Sequence, residues 1–229
     1  MVNKIRKVTH CIFDMDGLLL DTEYIYQNIL RDLVESYGSS YPWDTQMKIM
    51  GTTEQKTVSI IVNDLKLTCT EEEFLKKYRQ RQLVELANAR LMRGAERLIL
   101  HLSENHIPIA VATSSGASAV EVKTKNHRDV FDLFDHTVMG SSDAGVLEGK
   151  PAPDIFLVAA ARFPDHPCPE QCLVFEDAPN GVEAAVSAGM QVVMVPDRSI
   201  QPELRKHATV VLDSLEDFQP ELFGLPAFR

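Results

Sequence analysis

The chain has 229 residues, 45% of them hydrophobic, and a formal net charge of −10. That length can bury a substantial core and accommodates one large domain or a core with a smaller companion. The acidity is broken by no basic stripe, which argues against nucleic acid or an anionic membrane as a partner but leaves room for small anions bound locally.

Met1 to Lys7 is basic, yet the apolar segment behind it is too short for a signal sequence and contains His10 and Asp14. No stretch is long enough to span a bilayer. Cys11, Cys69, Cys168 and Cys172 show no disulfide spacing, which fits reduced thiols and a cytoplasmic location. Cys168 and Cys172 could hold half a zinc site, but no second pair at zinc spacing accompanies them.

Val8 to Phe13 is an unbroken apolar run, as expected of a strand buried on both faces of a parallel sheet. It ends abruptly in Asp14-Met15-Asp16-Gly17. Residues two apart on a strand point the same way, so both carboxylates should face one spot if the backbone stays extended through Met15. Their mutual repulsion calls for a divalent cation or a retained proton, and Gly17 permits a sharp turn away. An EF-hand is excluded, because its glycine and final glutamate would fall on Leu19 and Ile25. A solvated strand end remains open on this stretch alone.

Residues 22–91 show helical patterns without a convincing strand, and they read as an inserted helical subdomain. Tyr24 to Tyr37 carries Ile25, Ile29, Leu30, Leu33 and Val34 at helical spacing and stops at Gly38. Thr70 and Glu73 have capping-box spacing ahead of Phe74, Leu75 and Tyr78. The chain leaves the sheet just after the acidic pair and returns near Met92, so the insert is expected to lie over the end of the first strand.

From there helices and strands alternate. Helices are expected at Gly94–Asn105, Ala117–Lys125, Asp154–Arg162 and Gly181–Ala188. Short apolar strands are expected at Ile107–Thr113, His136–Gly140, Cys172–Phe175 and Gln191–Val195. This order implies an α/β, doubly wound parallel sheet of Rossmann-like type, formed by 1–21 and 92–229, with an α-helical cap at 22–91.

Three further strand ends carry polar groups. Thr113-Ser114-Ser115-Gly116 offers hydroxyls and N–H groups for an anion, or serves as a turn. Lys150 is stiffened by Pro151 and Pro153, although a lone lysine is usually a solvated one. Glu176-Asp177 repeats the strand-then-acid layout. Asp177 could instead cap the following helix. Magnesium favours a few carboxylate oxygens, water and a substrate phosphate, which Asp14 and Asp177 would serve.

Asp14-Met-Asp16-Gly, Thr113, Lys150 with Pro-Ala-Pro-Asp, and Glu176-Asp177 resemble, in order, the four motifs of the haloacid dehalogenase superfamily. The insert resembles the helical cap of its β-phosphoglucomutase-like branch. Phe13 to Glu23, Phe175 to Glu183 and Asp217 to Pro226 resemble, more narrowly, the phosphatases of pseudouridine 5′-phosphate. The resemblance implies a Mg2+-dependent phosphoric monoester hydrolase with Asp14 as nucleophile and Asp16 as general acid and base. It also implies Thr113, Ser114 and Lys150 around the phosphoryl group, and metal held by Asp14, the Asp16 carbonyl, Asp177 and, directly or through water, Glu176.

The expected partner is a small phosphomonoester, either pseudouridine 5′-phosphate or, alternatively, glycerol 3-phosphate or a sugar phosphate. The expected protein is a monomer without nucleic-acid or membrane partners. β-Phosphoglucomutases carry a cap histidine and arginine that Thr22 to Tyr26 and Gly51 to Glu54 lack, so a phosphatase is favoured over a mutase; a catalytically silent binding module is the remaining alternative. Core groups all address phosphate and metal, which leaves the leaving group to cap candidates Glu23, Tyr26, Thr52, Thr53 and Glu54, although Tyr26 could equally be cap core.

Overall fold

Short strands of β-branched and apolar residues, four of them buried along their whole length, form the core of the larger part of the chain, and parallel pairing gives those four cover on both faces. The computed structural model describes residues 5–49 and 54–228. These divide into two compact units, residues 1–21 with 90–229 and residues 22–89.

The first unit is built on six strands: β1 (His10–Phe13), β2 (Ile109–Thr113), β3 (His136–Met139), β4 (Cys172–Glu176), β5 (Gln191–Met194) and β6 (Val210–Val211). They form one sheet in the order β3-β2-β1-β4-β5-β6. Every pairing is parallel, with Phe13 beside Val111 on one side and Phe175 on the other. The pair β6 was not anticipated, since two valines carry no periodic signal.

Alternation along each strand serves two cores. Ile12, Ala112, Val174 and Val192 join Phe156, Ala159, Val182 and Ala185, from the helices that follow β3 and β4. On the opposite face the Phe13 and Phe175 rings stack at 4.4 Å, with Phe134 and Phe218 set edge-on against them. Aromatic pairs of this kind add roughly 0.5–1.5 kcal/mol each beyond their buried area.

The second unit contains α1 (Glu23–Ser36), α2 (Trp43–Ile49), α3 (Glu54–Asp64) and α4 (Glu71–Glu85). Its core joins Ile29, Leu33 and Val34 of α1 to Val58, Ile61 and Val62 of α3 and to Phe74 and Tyr78 of α4. Gly38, just beyond α1, takes a left-handed φ of 75°. The capping box at α4 forms as its spacing implies: Thr70 Oγ1 accepts from the Glu73 N–H at 3.2 Å, and Glu73 Oε2 accepts from the Thr70 N–H at 2.9 Å.

The remaining helices flank the sheet: α5 (Ala95–Glu104), α6 (Ala117–Thr124), α7 (Arg128–Phe131), α8 (Asp154–Arg162) and α9 (Pro179–Ser187). After β1 the chain builds outward through β2 and β3, then crosses back to add β4 on the other side of β1. The ends of β1 and β4 therefore flank the point where strand order reverses, the place where open α/β sheets bind ligands. Among the described residues no helix is long and apolar enough to cross a membrane.

Candidate active site

Asp14 and Asp16 follow β1 at this reversal. The parallel ladder extends one residue past the strand, with the Asp14 N–H on the Phe175 carbonyl at 3.0 Å. The chain then curls: Leu19 and Leu20 N–H groups both bond to the Met15 carbonyl, and Gly17 adopts a φ of 84°. A Cβ on Gly17 would collide with the Asp177 carboxylate, so glycine is required both by conformation and by the approach of the second acid.

The two aspartates have separate polar partners. Asp14, only 6% exposed, receives Lys150 Nζ on Oδ1 at 2.5 Å. Lys150 also donates to Glu176 Oε1 at 2.7 Å and to the Ala112 carbonyl at 3.1 Å, and it lies 5.0 Å over the Phe156 ring. Burial pushes the Asp14 carboxyl up to about 7; Lys150 opposes this, while Glu176 and Asp16 reinforce it. Burial alone would lower the Lys150 pKa, but the attraction of Asp14 and Glu176 outweighs it and raises the pKa instead. The lysine is thus an ammonium bridging two buried carboxyl groups, not a solvated surface charge.

Glu176, 1% exposed, closes β4. Its Oε2 accepts the N–H groups of Asp177 at 3.0 Å and Ala178 at 3.1 Å. The N-cap of α9 is Ala178, so the capping alternative for Asp177 does not hold. Asp14, Glu176 and Asp177 each present an oxygen within 4.8 Å of the others. A donor set made solely of carboxylate oxygens suits a hard divalent cation.

Gly181, on the first turn of α9, leaves the space that the Glu176 carboxylate fills, and a Cβ there would overlap it. Gly181→Ala is expected to push Glu176 off its backbone donors and off Lys150, destabilising the fold by roughly 1–3 kcal/mol. Thermal unfolding checks it: the midpoint should fall.

At the end of β2, the Thr113 hydroxyl donates to Asp16 Oδ2 at 3.3 Å and accepts the Ser115 N–H at 3.1 Å. Ser115 Oγ also donates to Asp16 Oδ2, at 2.9 Å. Lys123 Nζ lies 2.6 Å from Asp16 Oδ1 and 2.8 Å from Ser115 Oγ. Ser114, exposed, has its carbonyl bonded by Ser141 Oγ at 2.7 Å. The core thus brings together Asp14, Asp16, Thr113, Lys150, Glu176 and Asp177, with Ser114 in the adjoining loop.

Ser115 and Lys123 escaped the sequence reading. Lysine looks solvated on a short helix, and only its spacing from Val120 hinted at an inward face. Helical side chains tilt toward the N-terminus, so the long Lys123 chain runs back along α6 to the Thr113 loop.

Three candidates in the second unit lie on its helices α1 and α3. Glu23 opens α1 and is exposed; Tyr26 is partly buried against the core of that unit, which favours its reading as a packing residue. Glu54 opens α3 and is held by the Arg79 guanidinium at 2.6 Å. Thr52 and Thr53 lie outside the described residues.

A parallel sheet with paired acids at its reversal and a buried lysine between them can place a cation and an anion side by side at the strand ends. Residues 8–189 match the family profile of the haloacid dehalogenase-like hydrolases, and the chain belongs to that family. It is 55% identical over 229 residues to a probable pseudouridine-5′-phosphatase of Drosophila melanogaster, covering 100% of this chain and 99% of that one. It is 44% identical over 226 residues to (DL)-glycerol-3-phosphatase 2 of Arabidopsis thaliana, covering 97% and 93% respectively. β-Phosphoglucomutase of Clostridium difficile superimposes with a TM-score of 0.70 over 93% of this chain and 94% of its own, at 24% identity, a likeness of fold alone. The chain is a phosphoric monoester hydrolase.

Proposed function

We propose that this enzyme hydrolyses a small phosphomonoester, pseudouridine 5′-phosphate, with magnesium and through an aspartyl-phosphate on Asp14. The observation that carries the mechanism is the cluster at the sheet reversal, where Lys150 grips Asp14 beside two further carboxylates. The substrate assignment is supported by the full-length similarity to the Drosophila phosphatase.

Asp14, Asp177 and the Asp16 carbonyl would hold the metal. Glu176 spends Oε1 on Lys150 and Oε2 on two backbone donors, which favours contact through water. Bound magnesium would supply positive charge against the phosphoryl oxygens, without which a carboxylate would approach a dianion. Asp14 attacks phosphorus as the ester P–O bond breaks, and the proton of Asp16 passes to the leaving oxygen. The carboxylate of Asp16 then takes a proton from the water that hydrolyses the aspartyl-phosphate. Lys150 offsets charge on Asp14 and the transferring group, and Thr113 with the Ser114 N–H binds phosphoryl oxygens.

Release of inorganic phosphate from pseudouridine 5′-phosphate, glycerol 3-phosphate and β-glucose 1-phosphate, with magnesium and with chelator, tests this reading. Pseudouridine 5′-phosphate should give the highest kcat/KM, chelation should abolish turnover, and calcium should inhibit because it accepts more ligands in looser geometry. A higher kcat/KM for glycerol 3-phosphate would reassign the substrate. Full activity in chelator would remove the metal.

A further inference from the structure

Lys123 is 0% exposed, yet its ammonium makes a close ion pair with Asp16. Taking a lysine out of water costs several kcal/mol, which a single carboxylate seldom returns as net stability. Together Lys123, Ser115 and Asp16 close a ring of three contacts: 2.6 Å from Nζ to Oδ1, 2.8 Å from Nζ to Ser115 Oγ, and 2.9 Å from Oγ to Oδ2. Thr113 adds a fourth contact on Oδ2. Both carboxylate oxygens are therefore held, from two elements, β2 with its following loop and α6.

We propose that Lys123 is a positioning residue for Asp16, locking its carboxylate, with Ser115, at the place from which protons are exchanged with the leaving oxygen and the attacking water. This rests on the reading of Asp16 as general acid and base. In the first half-reaction the Asp14 O–P bond forms, the ester P–O bond breaks and the Asp16 proton goes to the departing oxygen. The carboxylate left behind is the species paired with Lys123. In the second half-reaction that carboxylate removes a proton from water as the aspartyl-phosphate is cleaved. Holding a group that acts twice in one geometry removes an orientational search from both steps.

The leaving group separates positioning from structural support. p-Nitrophenolate departs without a proton, whereas an alkoxide needs one. Lys123→Met should lower kcat/KM for the better wild-type substrate among pseudouridine 5′-phosphate and glycerol 3-phosphate by about tenfold more than for p-nitrophenyl phosphate. Loss of packing would depress both esters alike, so equal losses, or none, overturn the proposal.

If Lys123→Met does not fold, Ser115→Ala removes two sides of the ring from a half-buried position. It should show the same selectivity, by about threefold; equal effects on the two esters again overturn the proposal. Asp16→Asn is measured in parallel. If it spares the alkyl ester, the acid reading fails and the positioning role falls with it. If Asp16→Asn is selective and Lys123→Met is not, the positioning role alone fails.

Discussion

Asp14→Asn is expected to lower kcat by at least about 10³-fold while leaving a folded protein, because an amide cannot serve as the phosphoryl acceptor. Stability provides an internal control whose sign follows from the burial of Asp14. In the folded, metal-free protein burial lifts its carboxyl to about 7, from 3.8 for an ordinary aspartate. The native state therefore binds more protons across that window, and stability is lost as pH rises through it. Asparagine lacks this penalty. Between pH 4 and pH 7 the metal-free variant should therefore lose less of its unfolding temperature than the wild type does, even though it leaves Lys150 with one carboxylate fewer. Substantial residual turnover in a folded variant would exclude Asp14 as the nucleophile.

Lys150→Met is expected to have the largest effect on stability, together with loss of activity. It strips the shared cation from Asp14 and Glu176, and removing one partner of a buried pair costs about 3–5 kcal/mol. The second charge makes a rescue measurable: the Lys150→Met/Asp14→Asn double variant, with one fewer buried carboxylate, should recover part of the loss. Chemical denaturation at pH 8 in chelator reads both. A single variant as stable as the wild type would show that Lys150 is not the charge holding this cluster together.

Much of the architecture was legible because it depends on local patterns. Apolar runs of four to seven residues ending in Gly, Pro, Ser or acid marked β1 through β5. The helix at Asp154–Arg162 coincided with its expected bounds, the other helices given bounds shifted by one or two residues at their ends, and α2 and α3 had no individual bounds within the expected helical insert. The acids at Asp14, Asp16, Glu176 and Asp177 were visible because charge at the end of a buried strand is costly and so conspicuous. The two-residue β6 and one-turn α7 fell below any periodic signal, since both are held by neighbours and not by their own sequence.

By itself, then, the sequence determined the alternating α/β order, the helical insert and the strand-end placement of the clustered acids, because hydrophobic periodicity and glycine punctuation act over a few residues. Tertiary structure alone decided which side chains meet. Lys150 reaches Asp14 and Glu176 across 136 and 26 residues, and Lys123 reaches Asp16 across 107. Nothing local distinguishes these lysines from solvated ones. Their charges are held in the interior only because the crossover at β1 and β4 brings distant carboxylates to one edge, where each ammonium finds the partner that offsets its desolvation.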